Sequence, residues 1–435
     1  MRAKNISFTA VGDMLVQRRL PDTYDGLDQL TEFIMQGDMR YFNLETTLNH
    51  GEGWGNQYGG GSWLRADPAV LEDAKRMGFN MVSCANNHSL DFSHWGLLET
   101  IKACYNAGLP QAGAGKNLSE AAAPAYLDTS KGRIALIAAS STFNDASMAG
   151  EQSRHFIGRP GVNGLHFEET YYLPKADLEV LKRIAHDTHV NAYDDIWRKE
   201  GYLPPVKEGS FKFGTLNFQE GDTAKRVSKV NAIDMARIER SIEQAQFQAD
   251  YVAVAIHSHE LAGSAKETPD DFLIEFAHKC IDAGADTVIG AGPHLLRPIE
   301  LYKGCPIFYS LGDFMLQNEN IPYGPEDFYS FYGLTSDSTM LELFRTRSDG
   351  FKKGLQTDPR AFESVVPYCE YRDGKLVKLT LLPIDLGFGS ARSMGGLPRP
   401  KPHAPFIQRL AEMSAPFGTV IRETEDGLAE VVLPD

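Results

Sequence analysis

Short apolar runs alternate with amphipathic segments over most of the chain, and this alternation predicts a layered α/β fold. In residues 95–107 apolar side chains recur every three or four positions, as on the buried face of a helix, and Gly108 follows as a typical C-cap. The shorter apolar runs predict buried strands. In the first 140 residues the pattern predicts strands at 6–11, 39–42, 79–83 and 133–139 and helices at 26–36, 68–77 and 95–107.

The periodic pattern weakens between residues 140 and 230 and returns after that segment. A stretch of this length between two core strands predicts an insertion that forms a lid or a wall of the substrate pocket. We expect one domain of residues 1–435, in which residues 345–435 supply strands and a helix that complete a second sheet. The later predicted elements are helices at 231–248, 268–283 and 404–413 and strands at 251–256, 287–290, 298–302, 306–310, 340–344, 375–383 and within 418–433.

Polar side chains with metal-binding or acid-base chemistry follow five of the predicted strands. In an open α/β sheet, ligands bind at the carboxyl ends of the strands, and neighbouring strand ends lie about 5 Å apart. One such residue is explained as a turn former, but five in order indicate a common pocket. These residues are Asp13, Glu45, Asn87 with His88, His257 with His259, and His294.

Carboxylate, carboxamide and imidazole groups together are typical ligands of divalent Mn, Fe or Zn, so the set predicts a metal centre. The structural alternative is that Asn86 and Asn87 only shape a turn and that His88 caps the following helix. The glycine-rich segment 51–61 lacks the lysine and the spacing of a P-loop, and it predicts a flexible loop near the pocket.

Charge and cysteine content narrow the possible functions. The net charge of −15 argues against binding to nucleic acid or an anionic membrane, although a bound cation still allows an anionic substrate. The five cysteines form no CxxC pair, which argues against a zinc ribbon and a disulfide framework and suits a reducing compartment. Residues 1–5 lead directly into the first strand, without the apolar run of a signal peptide or membrane span. We therefore expect a cytoplasmic protein.

Short motifs surround these strand-end residues and form an ordered set over residues 6–315. Each joins an apolar strand to polar residues at its exit, and the set is more specific than any single member. The motifs are Gly12-Asp13-Met14-Leu15 with Arg18, Phe42-Asn43-Leu44-Glu45, Ala85-Asn86-Asn87-His88-Ser89-Leu90-Asp91, His257 with Glu260, Gly290-Ala291-Gly292-Pro293-His294, and Tyr309-Ser310-Leu311-Gly312-Asp313-Phe314.

The set resembles the CapA (poly-γ-glutamate capsule biosynthesis) family, within the calcineurin-like metallophosphoesterase superfamily. The resemblance implies a four-layer α/β/β/α sandwich, in which two mixed sheets pack face to face with helices outside. It also implies a centre of two divalent metals bridged by Glu45. The first metal would be bound by Asp13 and His294. The second would be bound by Asn87 and His257.

The same resemblance implies that His88 acts as the catalytic acid or stabilises the transition state. Asp91 would orient His88, or alternatively cap the following helix. Arg18 could pair with an anionic group of the substrate, and a surface role is the alternative. The candidates for contact with the substrate are Arg18, Asn86, His259 and Glu260.

Three positions depart from the family pattern. Leu15 and Gly292 stand where many superfamily members carry metal-binding histidines. His259 is either a substitute ligand or a wall of the pocket, and we favour the wall. Asp313 follows Gly312 at a position where relatives carry asparagine. It either lines the pocket or serves a turn, and we favour the turn.

The function expected is metal-assisted hydrolysis of a phosphoester or of a polyglutamyl or peptide-type substrate. A second reading is a metal-free pocket in which His88 and His294 act as acid and base in an epimerase or lyase reaction. A third is a non-catalytic subunit that binds the capsule polymer. The expected partner in each case is an anionic or peptide-like small molecule or polymer.

Overall fold

The computed structural model describes residues 5–434 and has a mixed α/β architecture. Residues 1–4, on which part of the expectation about a signal peptide rests, lie outside the described residues, as does residue 435. The predicted alternation of strands and helices is confirmed over the first 140 residues. Within residues 5–434 no helix combines the length and apolar character needed to cross a membrane.

The strands of the described chain are mostly short, and the longest lie in the two largest sheets. They are β1 (Asn5–Leu15), β2 (Met39–Leu44), β3 (Thr47–Leu48), β4 (Arg65–Ala66), β5 (Met81–Ser83), β6 (Gln111–Ala112), β7 (Ala114–Gly115), β8 (Ala125–Thr129), β9 (Gly132–Ser140), β10 (Gly161–Val162), β11 (Phe167–Leu173), β12 (Ser210–Phe213), β13 (Leu216–Glu220), β14 (Lys225–Val230), β15 (Tyr251–His257), β16 (Thr287–Ala291), β17 (Ile299–Tyr302), β18 (Cys305–Phe308), β19 (Asp313–Leu316), β20 (Glu363–Arg372), β21 (Lys375–Asp385), β22 (Arg399–Pro400), β23 (Ile421–Glu423) and β24 (Ala429–Val431).

The helices connect these strands and cover the sheets. The α-helices are α1 (Leu27–Ile34), α2 (Val70–Arg76), α3 (Ser93–Ala107), α4 (Leu118–Ala122), α5 (Lys175–Thr188), α6 (Ala192–Lys199), α7 (Ala232–Gln248), α8 (Asp271–Asp282), α9 (Glu326–Phe331), α10 (Met340–Arg347) and α11 (Phe406–Ser414). Short 3-10 helices lie at Asp145–Ser147, Asn318–Asn320, Leu355–Thr357, Pro359–Phe362 and Ala415–Phe417.

The larger sheet has ten strands and is built around β1. Its order is β23-β24-β21-β20-β1-β2-β5-β6, with β19 also paired to β1 and β22 to β21. Strands β2 and β19 run parallel to β1, whereas β20 runs antiparallel to it. Ten of the eleven residues of β1 are buried, as expected for a central strand covered on both faces.

The second large sheet has six strands in the order β17-β18-β16-β15-β9-β8. Its central strands β9, β15, β16 and β18 are parallel, and all seven residues of β15 are buried. Alternate residues of β15 enter two different cores. Val252, Val254 and Ile256 pack with buried residues of α7 and α8. Ala253 and Ala255 share a core with the ten-stranded sheet, so this face is directed toward the other sheet.

A separate four-stranded sheet occupies the segment in which the sequence pattern weakens. Its order is β12-β13-β11-β14, and α5 and α6 lie between its first two strands in the chain. The sheet is joined to α8 by a ring stack of Phe167 on Phe272, with centroids 4.3 Å apart. Arg226 of β14 also pairs with the buried Asp270, at 2.7 Å. The segment therefore has its own sheet while resting on the main body.

Two predictions for the C-terminal part are corrected. Residues 340–344 were predicted as a strand but begin α10, where Thr339 and Glu342 form a reciprocal capping box. The strand predicted at 375–383 is confirmed as β21, and its partner is β20, which the sequence pattern did not reveal. Both belong to the ten-stranded sheet because β20 pairs with β1. The C-terminal strands, which we expected to complete a second sheet, therefore extend the sheet of the N-terminal strands.

Candidate metal centre

The parallel strands of the two large sheets bring their carboxyl ends to one edge of the fold. Asp13 lies in β1, Glu45 directly follows β2, and His257 ends β15. His88 and His294 lie in the loops that follow β5 and β16. Ring nitrogens of the three histidines lie 3.8 to 4.0 Å from Glu45 Oε1, so residues far apart in the chain meet as predicted.

Asp13 sits in a bulge rather than after the end of its strand. The sequence pattern predicted a strand that ends at residue 11, but β1 continues to Leu15 with shifted registers on both sides of Asp13. A Cβ atom at Gly12 would lie 1.8 Å from the carbonyl oxygen of Gly312, so only glycine allows this approach. The bulge places the Asp13 carboxylate among donors: Asn43 Nδ2 lies 2.6 Å from Oδ1 and the Gly292 N–H donates to Oδ2 at 2.7 Å.

The Asp13 carboxylate also lies next to two imidazoles. Its Oδ1 is 3.4 Å from His257 Nδ1. Burial opposes ionisation of Asp13, but His257, His294 and Asn43 outweigh it and hold the pKa below its ordinary value. Asp13 is therefore a buried anion at the centre of the site.

Glu45 is the most unusual side chain in the cluster. It is 0% exposed, and within residues 5–434 neither carboxylate oxygen has a hydrogen-bond partner. Burial, followed by the nearby charges of Asp13, Asp313 and Asp91, raises the pKa of Glu45 well above its ordinary value. An unpartnered buried carboxylate costs several kcal/mol, roughly, unless a proton or a cation compensates it.

Two sets of side chains offer ligand atoms within 4.8 Å of one another, and Glu45 belongs to both. The first set adds an imidazole and two carboxylates to Glu45, and the second adds two imidazoles. The shared carboxylate is thus within reach of the ligand atoms of both sets. The first set is Asp13, Glu45, His294 and Asp313, and the second is Glu45, His257 and His259.

These donors fit divalent cations. Besides the two oxygens of Glu45, the buried atoms Asp313 Oδ2 and Asn87 Oδ1 have no hydrogen-bond partner among the described residues. A cation would satisfy the oxygen atoms of Glu45 and Asp313, which lie in one ligand set, and the mixture of carboxylate and imidazole suits Mn, Fe or Zn. His294 has a φ of 59°, a left-handed conformation that is uncommon for non-glycine residues.

His88 and Asp91 form a buried pair at the side of the cluster. His88 Nδ1 lies 2.6 Å from Asp91 Oδ2, which leaves His88 Nε2 directed toward Glu45. Asp91 also accepts the backbone N–H groups of Gly60, at 2.9 Å, and Leu64, at 2.7 Å. Burial raises the pKa of Asp91 despite the opposing effect of His88. The contact supports the orienting role predicted for Asp91, since the helix that follows begins only at Ser93.

Three predicted substrate-binding residues make other contacts. Arg18 is exposed, and its guanidinium donates to the backbone oxygen of Ser393 at 2.7 Å. The Asn86 side chain ties its loop to β2 by donating to the carbonyl oxygen of Leu44 at 2.8 Å. Glu260 accepts hydrogen bonds from three hydroxyl groups. These belong to Ser141, Thr142 and Ser258, at 2.7 to 2.9 Å.

His259 lies in the ligand cluster rather than at a separate wall. Its Nε2 is 3.0 Å from His257 Nε2, and its ring packs edge-on to His294. Burial and the neighbouring histidines lower the pKa of His259 well below its ordinary value, which favours the neutral ring that binds metals. His259 therefore contacts two histidines of the cluster, a position that suits both roles considered from the sequence, a substitute ligand and a wall of the pocket.

Two further residues contact the cluster, namely Asp313, for which we favoured a turn, and Asn43, to which the sequence pattern assigned no role. Asp313 is 0% exposed, and its Oδ1 lies 2.9 Å from His294 Nδ1, so it does not serve only a turn. Burial raises its pKa to about 6, against the influence of His294. The triplet at 311–313, Leu-Gly-Asp, repeats the pattern Val-Gly-Asp at 11–13 and was a usable signal. Asn43, at the end of β2, was visible as another polar strand end.

Comparison with known proteins identifies the family of the chain. The bacterial capsule synthesis protein family PGA_cap matches residues 7–318. The "Uncharacterized protein y4sH" of Sinorhizobium fredii is 33% identical over 430 residues, which cover 95% of this chain and 90% of the relative. The "PGA biosynthesis protein CapA" of Bacillus subtilis is 24% identical over 317 residues, 71% of this chain and 63% of the relative.

The "Capsule biosynthesis protein CapA" of Bacillus anthracis is 25% identical over 252 residues, which cover 58% of this chain and 44% of the relative. The match to PGA_cap spans the β1, β2, β5, β15 and β16 strand ends and the segment that contains Asp313. The predicted resemblance is thereby confirmed, and the chain belongs to the bacterial capsule synthesis protein family PGA_cap.

Proposed function

We propose that this protein is a metal-dependent hydrolase that acts on a phosphoester or on a polyglutamyl or peptide-type substrate. The observation that supports it most directly is Glu45, a buried carboxylate without hydrogen-bond donors but surrounded by three imidazoles. A cation at this carboxylate would remove the cost of burying it. In the metal-free acid-base alternative a proton would compensate the burial of Glu45 but would leave both oxygens without a hydrogen-bond partner among the described residues, so we favour the metal-dependent reading.

The proposed ligands are Asp13, Glu45, His294, Asn87 and His257, as the resemblance implied. Divalent cations held there would polarise the scissile group and lower the pKa of a bound water to generate a nucleophile. The buried position of the cluster keeps bulk water away from the reacting group.

His88 is the proposed proton carrier. Asp91 accepts from Nδ1 and so fixes the tautomer and the orientation of the ring, while Nε2 faces the site. A proton transferred at Nε2 would reach the leaving oxygen or nitrogen of a substrate held beside Glu45. Asp91 acts through His88 and is a positioning residue.

The proposed fold around the site is the four-layer α/β/β/α sandwich. It is supported by the two cores on opposite faces of β15 and by the contact of Phe8 in β1 with Tyr251 in β15, whose ring centroids are 5.7 Å apart. We also assign residues 140–230 to a wall of the substrate pocket. The beginning of this segment contacts the site, since Thr142 Oγ1 accepts a hydrogen bond from the backbone N–H of His259 at 2.8 Å. The curated relatives' names support capsule polymer synthesis as the setting.

The test begins with protein stripped by a chelator and reloaded with Mn2+, Zn2+ or Fe2+. Hydrolysis of bis(p-nitrophenyl) phosphate and of a γ-glutamyl peptide is measured before and after loading. We expect activity only after loading, and none in Glu45→Gln. The matched control is Glu300→Gln, a buried glutamate that accepts from His278 and Tyr309 away from the site.

The alternatives give different results in the same experiment. Solvent deuterium that enters the γ-glutamyl peptide without added metal would indicate acid-base chemistry. Absence of hydrolysis with every ion and both substrates would refute the hydrolase. Tight polymer binding by the same preparation would then favour the non-catalytic subunit.

A further inference from the structure

The two ligand sets around Glu45 differ in chemical character. One contains three carboxylates, Asp13, Glu45 and Asp313, and a single imidazole from His294. The other contains two imidazoles and the shared carboxylate. Hard, carboxylate-rich sites suit Mn2+ and Mg2+, whereas sites with several imidazoles suit Zn2+. The same cluster therefore offers two cations different surroundings.

Asp313 is built into the carboxylate-rich set by the sheet itself. It is the direct register partner of Asp13 in the parallel pair of β1 and β19, which places the two acids on adjacent strands. Its Oδ1 is occupied by His294 Nδ1, while Oδ2 is buried and has no hydrogen-bond partner among the described residues. Three buried acids of like charge repel one another, and a cation between them removes that repulsion.

His259 is held in the imidazole-rich set by a buried arginine. The side chain of Arg297 is 0% exposed, and its guanidinium donates to the backbone oxygens of His259, at 3.2 Å, and Glu260, at 2.8 Å. This anchors the loop that carries His259, whose Nε2 lies 3.0 Å from His257 Nε2. Two ring nitrogens at that separation can share one cation or one proton.

Position 292 offers no side chain to this part of the site. Gly292 has a φ of 123°, and a Cβ atom there would lie 2.8 Å from the backbone nitrogen of Ser258. Its N–H is also committed to Asp13. A second imidazole beside His257 therefore has to come from another segment, and His259, in the loop that follows β15, supplies it.

We propose that Asp313 and His259 are metal ligands that replace the donors absent at positions 15 and 292, a point that rests on the metal dependence proposed above. Asp313 would join Asp13 and His294 around a hard cation of the Mn2+ class, and His259 would join His257 around Zn2+, with Glu45 available to both sets.

The experiment loads the chelator-stripped full chain in two steps. Zn2+ binds sites of this kind more tightly than Mn2+, so one equivalent of Zn2+ is added first and Mn2+ is then titrated by calorimetry. We expect one ion of each type per chain by elemental analysis. Anomalous scattering from crystals of the loaded protein, collected at each metal's absorption edge, should place zinc beside His257 and manganese beside Asp13.

Two variants separate the ligand sets. Asp313→Asn, which preserves the shape of the side chain, should weaken Mn2+ binding at least about tenfold and leave the tight Zn2+ site intact. His259→Gln should weaken the tight Zn2+ phase by a similar factor. Glu300→Gln is the control and should keep both affinities. Near-ultraviolet circular dichroism of each variant confirms that it is folded.

The outcomes distinguish this inference from the proposed function. If Asp313→Asn and His259→Gln bind both ions as the wild type does, the two ligand assignments are overturned while metal dependence stands. If limiting zinc occupies the carboxylate-rich set, the division between unlike cations is overturned. If the wild type binds neither ion, the inference and the proposed hydrolase fall together.

Discussion

Replacing Gly60 by alanine would press a methyl group against the imidazole of His88. A Cβ atom built on Gly60 lies 2.7 Å from Nδ1 and 2.8 Å from both Cδ2 and Cε1 of the ring. Optimal contact between such atoms is about 3.5–4.0 Å, so the overlap is close to 1 Å. The φ of Gly60 is not among the positive values, so alanine fits the backbone and the perturbation is steric.

Neither partner can yield freely. The Gly60 N–H donates to Asp91 Oδ1 and its carbonyl accepts from Asn87 Nδ2, both at 2.9 Å, while the His88 ring is held by Asp91. Overpacking of this kind costs about 1–3 kcal/mol of folding stability. A displaced ring would also lose proton transfer, which contributes about 10²–10⁴-fold to rate. We expect a folded, metal-loaded variant with a greatly reduced kcat.

The assay compares kcat on bis(p-nitrophenyl) phosphate, metal content and urea unfolding for Gly60→Ala and for a control. Gly395→Ala is the matched control because its Cβ would have no neighbour closer than 3.6 Å and its φ is not positive. Full activity of Gly60→Ala at unchanged metal content would refute the role given to the position of His88. Loss of metal together with activity would instead show that the loop shapes the ligand set.

Two further substitutions test the support of the site and the core beneath it. Asp91→Asn leaves one acceptor oxygen for the donors of Gly60, Leu64 and His88, so we expect a loss of about 1–3 kcal/mol in urea unfolding and a lower kcat at unchanged metal content. Unaltered kcat would remove Asp91 from the mechanism. Phe308→Ala removes a fully buried ring in β18 and should lower the free energy of unfolding in urea by about 3–5 kcal/mol. An unchanged free energy of unfolding would show that the core around Phe308 is loosely packed.

The elements that were predicted well have strong local signals. The third strand, the helix after it and Gly108 as its left-handed C-cap were all readable from apolar periodicity and one glycine. The parallel strands β9, β15 and β16 were equally clear because buried strands are continuously apolar. Since such strands share a direction, their polar exits could be expected at one edge.

The incorrect prediction of a strand at 340–344 shows where a pattern of apolar residues is misleading. Met340, Leu341, Leu343 and Phe344 are apolar enough for a buried strand, yet Leu341 is exposed and the segment is helical. The Thr339 to Glu342 spacing of a capping box marks a helix start and was present in the sequence. Local capping chemistry was the better guide for this short segment.

For Asp313 a turn was favoured because its contact with Asp13 depends on a strand pairing that spans 300 positions. A glycine and an aspartate after an apolar run read as a turn, and the same was true of Gly12 and Asp13. Pairing of β19 with β1 makes the two acids neighbours, and Gly12 permits it by letting Gly312 approach.

The paired acids Asp13 and Asp313 cannot reach water, since both are fully buried. With Glu45 they form a group of three buried acids, and the cation that we propose would remove the repulsion between them on ionisation. The case for that cation thus rests on the register of the sheet, which no single motif displays.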